Sequence, residues 1–262
     1  MTLKALLIRL DFLLTTLFGI NIRIMFRSLR GVPRYVRDYF NFCSSYRGCI
    51  EFLPCLNDWY EEGGDTKGEY FWQDLLVARM IFETKPNKHV YIGSRVDGFV
   101  AHVASFREIE VIDIRRITTH IPGVTFKQAD LMRPADAMKG YCDSLSCLHA
   151  LEHFGLGRYG DPIDTMGFER GIENMATFLK EKGTFYLSVP IGRDRVEFNA
   201  NRVFDPNVIV DLAKQNSLRL SGFTVIRQGN VIETLSLDNL KLTSLSNQRY
   251  ALGIFSFIKT YS

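Results

Sequence analysis

Cysteine is scarce and unpaired. Cys43, Cys49, Cys55, Cys142 and Cys147 make an odd five with no C-x-x-C pair, which argues against a disulfide scaffold or a zinc ribbon and reads as reduced thiols in the cytoplasm. The six-residue intervals of the first three match no usual ligand spacing for a metal. Charge of one sign is also lacking: 32 basic against 29 acidic residues leave a net +3, so no overall field marks nucleic acid as a partner. There is no uninterrupted apolar run of spanning length. Residues 5–25 are interrupted by Arg9, Asp11 and Arg23, where a spanning helix needs ~20 mostly apolar residues, and no small-residue cleavage site of a signal peptide follows. The chain has no internal repeat, no low-complexity stretch, no D-x-D or H-E-x-x-H metal motif and no N-P-P-Y or D-P-P-Y motif of base methylation.

What remains is a globular composition. With 262 residues, 46% of them hydrophobic, the chain can build one large domain and an extension. Arg23, Arg27, Arg30, Arg34 and Arg37 recur at three- and four-residue intervals with only Asp38 opposing them. This predicts a basic helix face, interrupted around Gly31 and Pro33. Two readings stay open: a segment lying peripherally on the inner, anionic face of a membrane, or a solvated face beside a packed one. Residues 1–60 read as helical arms, and Glu61-Glu62-Gly63-Gly64-Asp65 as a linker. The expected organisation is a helical, basic extension over 1–65 and a main domain over 66–262.

In the main domain a helix is expected over 70–84, with Phe71, Leu75, Val77, Ala78, Ile81 and Phe82 as its apolar face and Lys85-Pro86 as its stop. Strands are then expected over 89–93, 110–114, 124–128, 143–148, 184–189, 218–226 and 250–259, with helices over 98–106, 168–180 and 205–215. The alternation implies right-handed βαβ crossovers. The fold class is therefore α/β, a Rossmann-like and mainly parallel sheet with an N-terminal helical extension. A ligand crevice belongs at the carboxyl ends of the strands, where strand order switches.

The loops there carry the chemistry. Gly93-Ser94-Arg95-Val96-Asp97-Gly98 joins a strand to a helix, where glycine lets a ligand approach the backbone. Asp113 closes the second strand about twenty residues after the first glycine, the place of an acid that binds a ribose diol; pairing with Arg115 or Arg116 is the other reading. Asp130 closes the third strand, where it suits the exocyclic amine of adenine.

These residues resemble the class I S-adenosylmethionine-dependent methyltransferases, over roughly Tyr70 to Ile226 and the last strand. The resemblance implies S-adenosylmethionine as cofactor, with the methionine end on Gly93, Ser94 and Gly98, beside Arg95 and Asp97, the ribose on Asp113 and the adenine on Asp130. This chain departs from the family in two places. Tyr91 stands where an acid usually precedes the first glycine by two, and Arg95 replaces the second glycine. Either the loop takes another path, or Asp97 neutralises the arginine. A narrower resemblance covers Ile92–Gly98, Cys147–Pro162, and Val189–Arg193 with Phe198–Phe204. These stretches are similar to the DUF268 family, a methyltransferase-like group, which has histidine where this chain has Asn201.

After the fourth strand, His149, Glu152 and His153 share a face if the turn is helical. Methyl transfer needs an acceptor oxygen oriented, deprotonated and aligned. His149 is the first candidate base and His153 the second, with Glu152 supporting; a metal on these three has no distinctive spacing. Arg158, Tyr159 and Asp161 could grip sugar hydroxyls or a phosphate, or Arg158 and Asp161 pair with each other. Arg193, Arg195, Asn199, Asn201 and Arg202 form a second polar cluster suited to an anionic substrate. The leading expectation is O-methylation of a sugar or glycan-related small molecule. The alternatives are glycosyl transfer from a nucleotide sugar and a non-catalytic, methyltransferase-like scaffold.

Overall fold

The computed structural model describes residues 3–61, 63, 64, 66, 68–133, 136–237 and 242–261, without the side chains of 3–9, 12, 23 and 136. Glu62 and Asp65 of the expected linker, and the side chains of Arg9 and Arg23, therefore lie outside the described residues. The chain divides into two compact units, Met1–Asp65 and Thr66–Ser262.

The first unit is a helical pair with a trailing segment. Helix α1 spans Leu3–Phe18 and α2 spans Ile22–Ser45, started by Asn21, whose side chain accepts a hydrogen bond from the Ile24 amide. The interruption expected at Gly31 and Pro33 does not occur: α2 runs through both. Pro33 costs one backbone bond. Gly31 has a packing reason, because a Cβ there would lie 2.6 Å from the Leu56 carbonyl oxygen.

The second unit begins with α3, Glu69–Thr84. Strand β1 (His89–Ile92) leads into a π-type turn, Val96–Val100, and the short α4, Ala101–Ala104, in place of the single helix expected over 98–106. Then come β2 (Ile109–Asp113), β3 (Val124–Gln128), β4 (Cys142–Leu148), α5 (Gly167–Phe178) and β5 (Leu179–Ile191). The hairpin β6 (Arg195–Glu197) and β7 (Asn201–Val203), helix α6 (Pro206–Gln215), β8 (Leu218–Arg227), β9 (Val231–Thr234), α7 (Leu242–Ser246) and β10 (Ala251–Lys259) complete it.

Eight strands form one sheet in the order β3-β2-β1-β4-β5-β10-β8-β9. The first five are parallel to one another, and β10 is antiparallel to both β5 and β8. The chain winds outward from β1 to β3, then returns to lay β4 on the other side of β1. Strand order therefore switches between β1 and β4. Parallel strands buried on both faces need apolar residues at both parities. On β1, Val90 and Ile92 face one core with α5 and α6 residues such as Ile172, Phe178 and Ile209, while Tyr91 faces the other with Val77, Ile81 and Val103.

Helix α3 forms where expected but is rotated. Phe71, Leu75 and Phe82 are exposed, and the buried face is Gln73, Asp74, Val77, Ala78 and Ile81. Gln73 and Asp74 tolerate burial because they are bonded: the Ser188 hydroxyl of β5 donates to Gln73 Oε1, and Gln73 Nε2 donates to Asp74 Oδ1 at 2.9 Å.

Candidate active site

The loops after β1, β2, β3 and β4 surround a cavity of about 360 Å³ at the switch point, a volume suited to a small ligand. Gly93, Ser94, Arg95, Asp113, Asp130, His149 and His153 line it, with Arg158, Tyr159 and Asp161.

Gly93 opens the first loop at φ +133°, a region that favours glycine. Arg95 does not project freely into the cavity. Its guanidinium lies 4.2 Å over the Tyr70 ring, and its Nε lies 3.4 Å from Asp74 Oδ2. Asp97, the expected neutraliser, is 90% exposed, 4.0 Å from Arg95 and outside the cavity lining. The partner is instead Asp74, from α3. Gly98 is not a lining residue either: a Cβ there would meet Asp74 Oδ2 at 2.3 Å and Arg95 Nε at 2.6 Å. Its missing side chain makes room for the ion pair.

Asp113 is paired with Arg115. Its Oδ1 accepts from the Arg115 amide at 2.8 Å and from Arg115 Nε at 3.0 Å. The same guanidinium donates to Ser94 Oγ and lies 4.2 Å over the Tyr159 ring. Asp130 Oδ1 accepts from the Met132 amide at 3.0 Å, and its Oδ2 lies 3.3 Å from Arg133. Both acids line the cavity, and both already hold a cation.

The fourth loop begins at His149, which adopts φ +50°, uncommon outside glycine. Its Nδ1 is 2.7 Å from Glu152 Oε1 and its Nε2 is 3.4 Å from Glu69 Oε1. Tyr70 packs on its ring at 4.4 Å, and the Tyr250 hydroxyl donates to Glu69. Burial alone would push the imidazole down, but the charge and hydrogen bond of Glu152, joined by those of Glu69, raise it to about 9. A protonated imidazole between two carboxylates has no lone pair to offer, so the geometry does not suit His149 to the role of base.

His153 has the opposite electrostatics. Its Nδ1 lies 2.7 Å from the Ala200 carbonyl, to which it donates, which leaves Nε2 as the acceptor. Burial holds its pKa below the ordinary histidine value. Tyr159 meets its ring edge to face at 5.3 Å.

At the mouth, Arg158 and Asp161 do not pair with each other. Arg158 donates to the Ala200 carbonyl, and Asp161 accepts from the amides of Gly157 and Tyr159. The second polar cluster is not in the cavity wall: Arg193, Arg195, Asn199, Asn201 and Arg202 lie on or beside the β6–β7 hairpin. Arg202 is buried and braces the fourth loop, donating to the Phe154 carbonyl at 2.5 Å and to the Glu152 carbonyl at 3.4 Å. Arg195 is held by Glu197 and the Arg249 carbonyl. The hairpin serves the site by position, through Arg202 and Ala200. Among the described residues no cluster of His, Cys, Asp and Glu is arranged to hold a metal ion.

Sequence reasoning missed Glu69, Tyr70, Gln73, Asp74 and Tyr250. A signal was present for four of them: Glu69 and Gln73, like Tyr70 and Asp74, sit four apart on one face of a helix otherwise read as apolar.

The 4+2 cyclase SpnF overlaps the chain with a TM-score of 0.53 at 12% identity, covering 76% of this chain and 86% of that one; the likeness is one of fold. The Burkholderia thailandensis 1,6-didemethyltoxoflavin N1-methyltransferase gives 0.49 at 12% identity, covering 88% and 91%. The N-methyltransferase NodS of Bradyrhizobium japonicum gives 0.49 at 13%, covering 76% and 90%. No curated protein sequence matches the chain. A family model does match, over residues 99–250. That span takes in Asp113, Asp130, the whole fourth loop and the hairpin, and begins just after the glycine loop. With more than half of its length so matched, the chain belongs to DUF268, the family described as Caenorhabditis protein of unknown function.

Proposed function

We propose that the chain is an S-adenosylmethionine-dependent methyltransferase acting on a hydroxyl of a sugar or glycan-related small molecule. The observation that carries the reading is the convergence of Gly93, Asp113, Asp130 and His153, from four successive strand ends, on one cavity at the switch point. The residues present fit the cofactor chemically. Two lining carboxylates suit a ribose diol and an adenine amine, and the group Glu69, His149 and Glu152 has one more carboxylate than cation, which suits a sulfonium nearby.

When bound, S-adenosylmethionine supplies an electrophilic methyl group. Asp113 would accept the ribose hydroxyls in exchange for Arg115, and Asp130 would accept from the adenine amine. Ser94 and Arg95, beside the backbone at Gly93, would hold the methionine carboxylate. His153, fixed in one tautomer by Ala200, takes the acceptor's proton at Nε2. Arg158, Tyr159 and Asp161 orient the acceptor at the mouth. His149 acts through its charge, bound to Glu152 and Glu69.

The test is calorimetry with S-adenosylmethionine and S-adenosylhomocysteine, followed by a methyl-transfer screen on glycans. The reading expects saturable binding that is lost in Asp113→Ala and kept in His153→Gln, with transfer lost in both. Failure of the intact chain to bind either compound would overturn it. One observation favours a second reading, a non-catalytic scaffold: Asp113 is already occupied by Arg115. Binding without transfer to any acceptor would support that alternative.

A further inference from the structure

Helix α2 presents a continuous apolar stripe that nothing in its own unit covers. Met25, Phe26, Leu29, Val32, Val36 and Phe40 are all between 40% and 66% exposed. At ~100° per residue they fall within an arc of about 120°. One flank of the stripe is the packed side of the helix: Gly31 lies under Leu56, Asn57 donates to Ser28 Oγ at 2.9 Å, and Phe52 packs on Tyr35 and Tyr39 at 5.7 and 4.8 Å. Trailing residues 50–60 therefore occupy that flank and leave the apolar stripe open. Along the other flank run Arg27, Arg30, Arg34 and Arg37, with Asp38 paired to the last two. No described helix is long and apolar enough to cross a membrane.

We infer that α2 is a membrane-surface helix, lying in the plane of an anionic bilayer with its apolar stripe among the acyl chains and its arginines at the headgroups. The charge pattern selects this occupant over a second copy. Two copies joined by their stripes would bring two rows of arginine together, whereas anionic headgroups neutralise the row. Arginine also suits the flank, because its aliphatic stem lies along apolar surface while its head stays wet.

The experiment is co-sedimentation of the full chain with vesicles of phosphatidylcholine alone or containing a quarter phosphatidylserine, with sedimentation velocity in parallel. The expected result is binding to the anionic vesicles that weakens in high salt. Arg27→Gln with Arg30→Gln should lower the partition coefficient on anionic vesicles about fivefold per arginine. Leu29→Gln with Phe40→Gln should lower it at least tenfold. All four residues are exposed, and each variant is checked for unchanged circular dichroism and melting. Equal sedimentation with and without vesicles would overturn the inference, as would variants that bind like the native chain. A dimer that the apolar substitutions dissociate, without vesicle binding, would assign the stripe to a second copy instead.

Discussion

Replacing Glu152 by glutamine removes the stronger of the two influences that keep His149 charged. The imidazole titrates at about 9 in the folded protein, against 6.5 for an ordinary histidine, a gap of about 2.5 pH units or roughly 3 kcal/mol at ~1.4 kcal/mol per unit. The folded value is the higher one. The stabilisation is therefore complete below pH ~6.5, where both states are protonated, and is lost as pH rises toward 9, because only the folded state still binds the proton. Between pH ~6.5 and ~8 the loss from this group works out at about 1.5 kcal/mol. The window also stays below the range where unfolded thiols ionise, at ~8.5, so the buried Cys142 and Cys147, both pushed up by burial, add little to the slope. In Glu152→Gln only Glu69 opposes the burial penalty, and the slope should fall to less than half. Urea unfolding of both proteins at several pH values in the window measures it, and the His149 ring proton shift gives the titration directly. Parallel slopes for the two proteins, or a native His149 that titrates at or below the ordinary value, would refute the reasoning.

Four further outcomes are expected. Arg115→Ala should tighten binding of S-adenosylhomocysteine up to about tenfold, by removing a charge-assisted bond to Asp113; weaker binding in calorimetry would make Arg115 itself a ligand contact. Transfer activity should persist below pH ~6.5 before it falls, since burial lowers the His153 pKa and the neutral form is the base; a pH profile with its acid limb above that value would move the base elsewhere. Gly155→Ala should cost about 3 kcal/mol in thermal denaturation, because its φ is +77° and a Cβ would lie 1.9 Å from the Asp164 carbonyl oxygen. Gln73→Leu should cost about 2 kcal/mol by stranding Ser188 and Asp74, and a neutral result in urea unfolding would show that the chain of bonds from β5 to Arg95 carries no stability.

Much of the sheet was legible because its central strands are buried on both sides. Val90-Tyr91-Ile92 and Cys147-Leu148 need apolar residues at every position, and such runs stand out between glycine and proline signals. The parts that were missed lack that pressure. Strand β9 reads Val-Ile-Glu-Thr and sits at the sheet edge, mostly exposed, and the β6–β7 hairpin is three residues a side, Arg-Val-Glu against Asn-Arg-Val, with one apolar residue in each strand. In α3 the period was visible and the face was not, because the buried positions include Gln73 and Asp74, which are satisfied by partners far away in sequence. The candidate site divides in the same way. Residues that directly follow a strand end, such as Asp113 and His149, announce themselves by position. Tyr250 carries no local signal, since what matters is its hydrogen bond to Glu69 across 181 residues.

The place of β10 bears on how the protein is made. It lies between β5 and β8, antiparallel to both, and pairs with each along eight positions. A nascent chain that has emerged only through β8 holds the parallel half of its sheet with β5 ending in an open row of amides and carbonyls, a template for joining other chains. Residues 251–259 fill that gap, and their arrival carries Tyr250 onto Glu69. Completion of the sheet and closure of the Tyr250–Glu69 hydrogen bond are thus one event, so a ribosome-bound or trimmed chain can own every cavity residue and still lack the hydroxyl that fixes Glu69 beside His149.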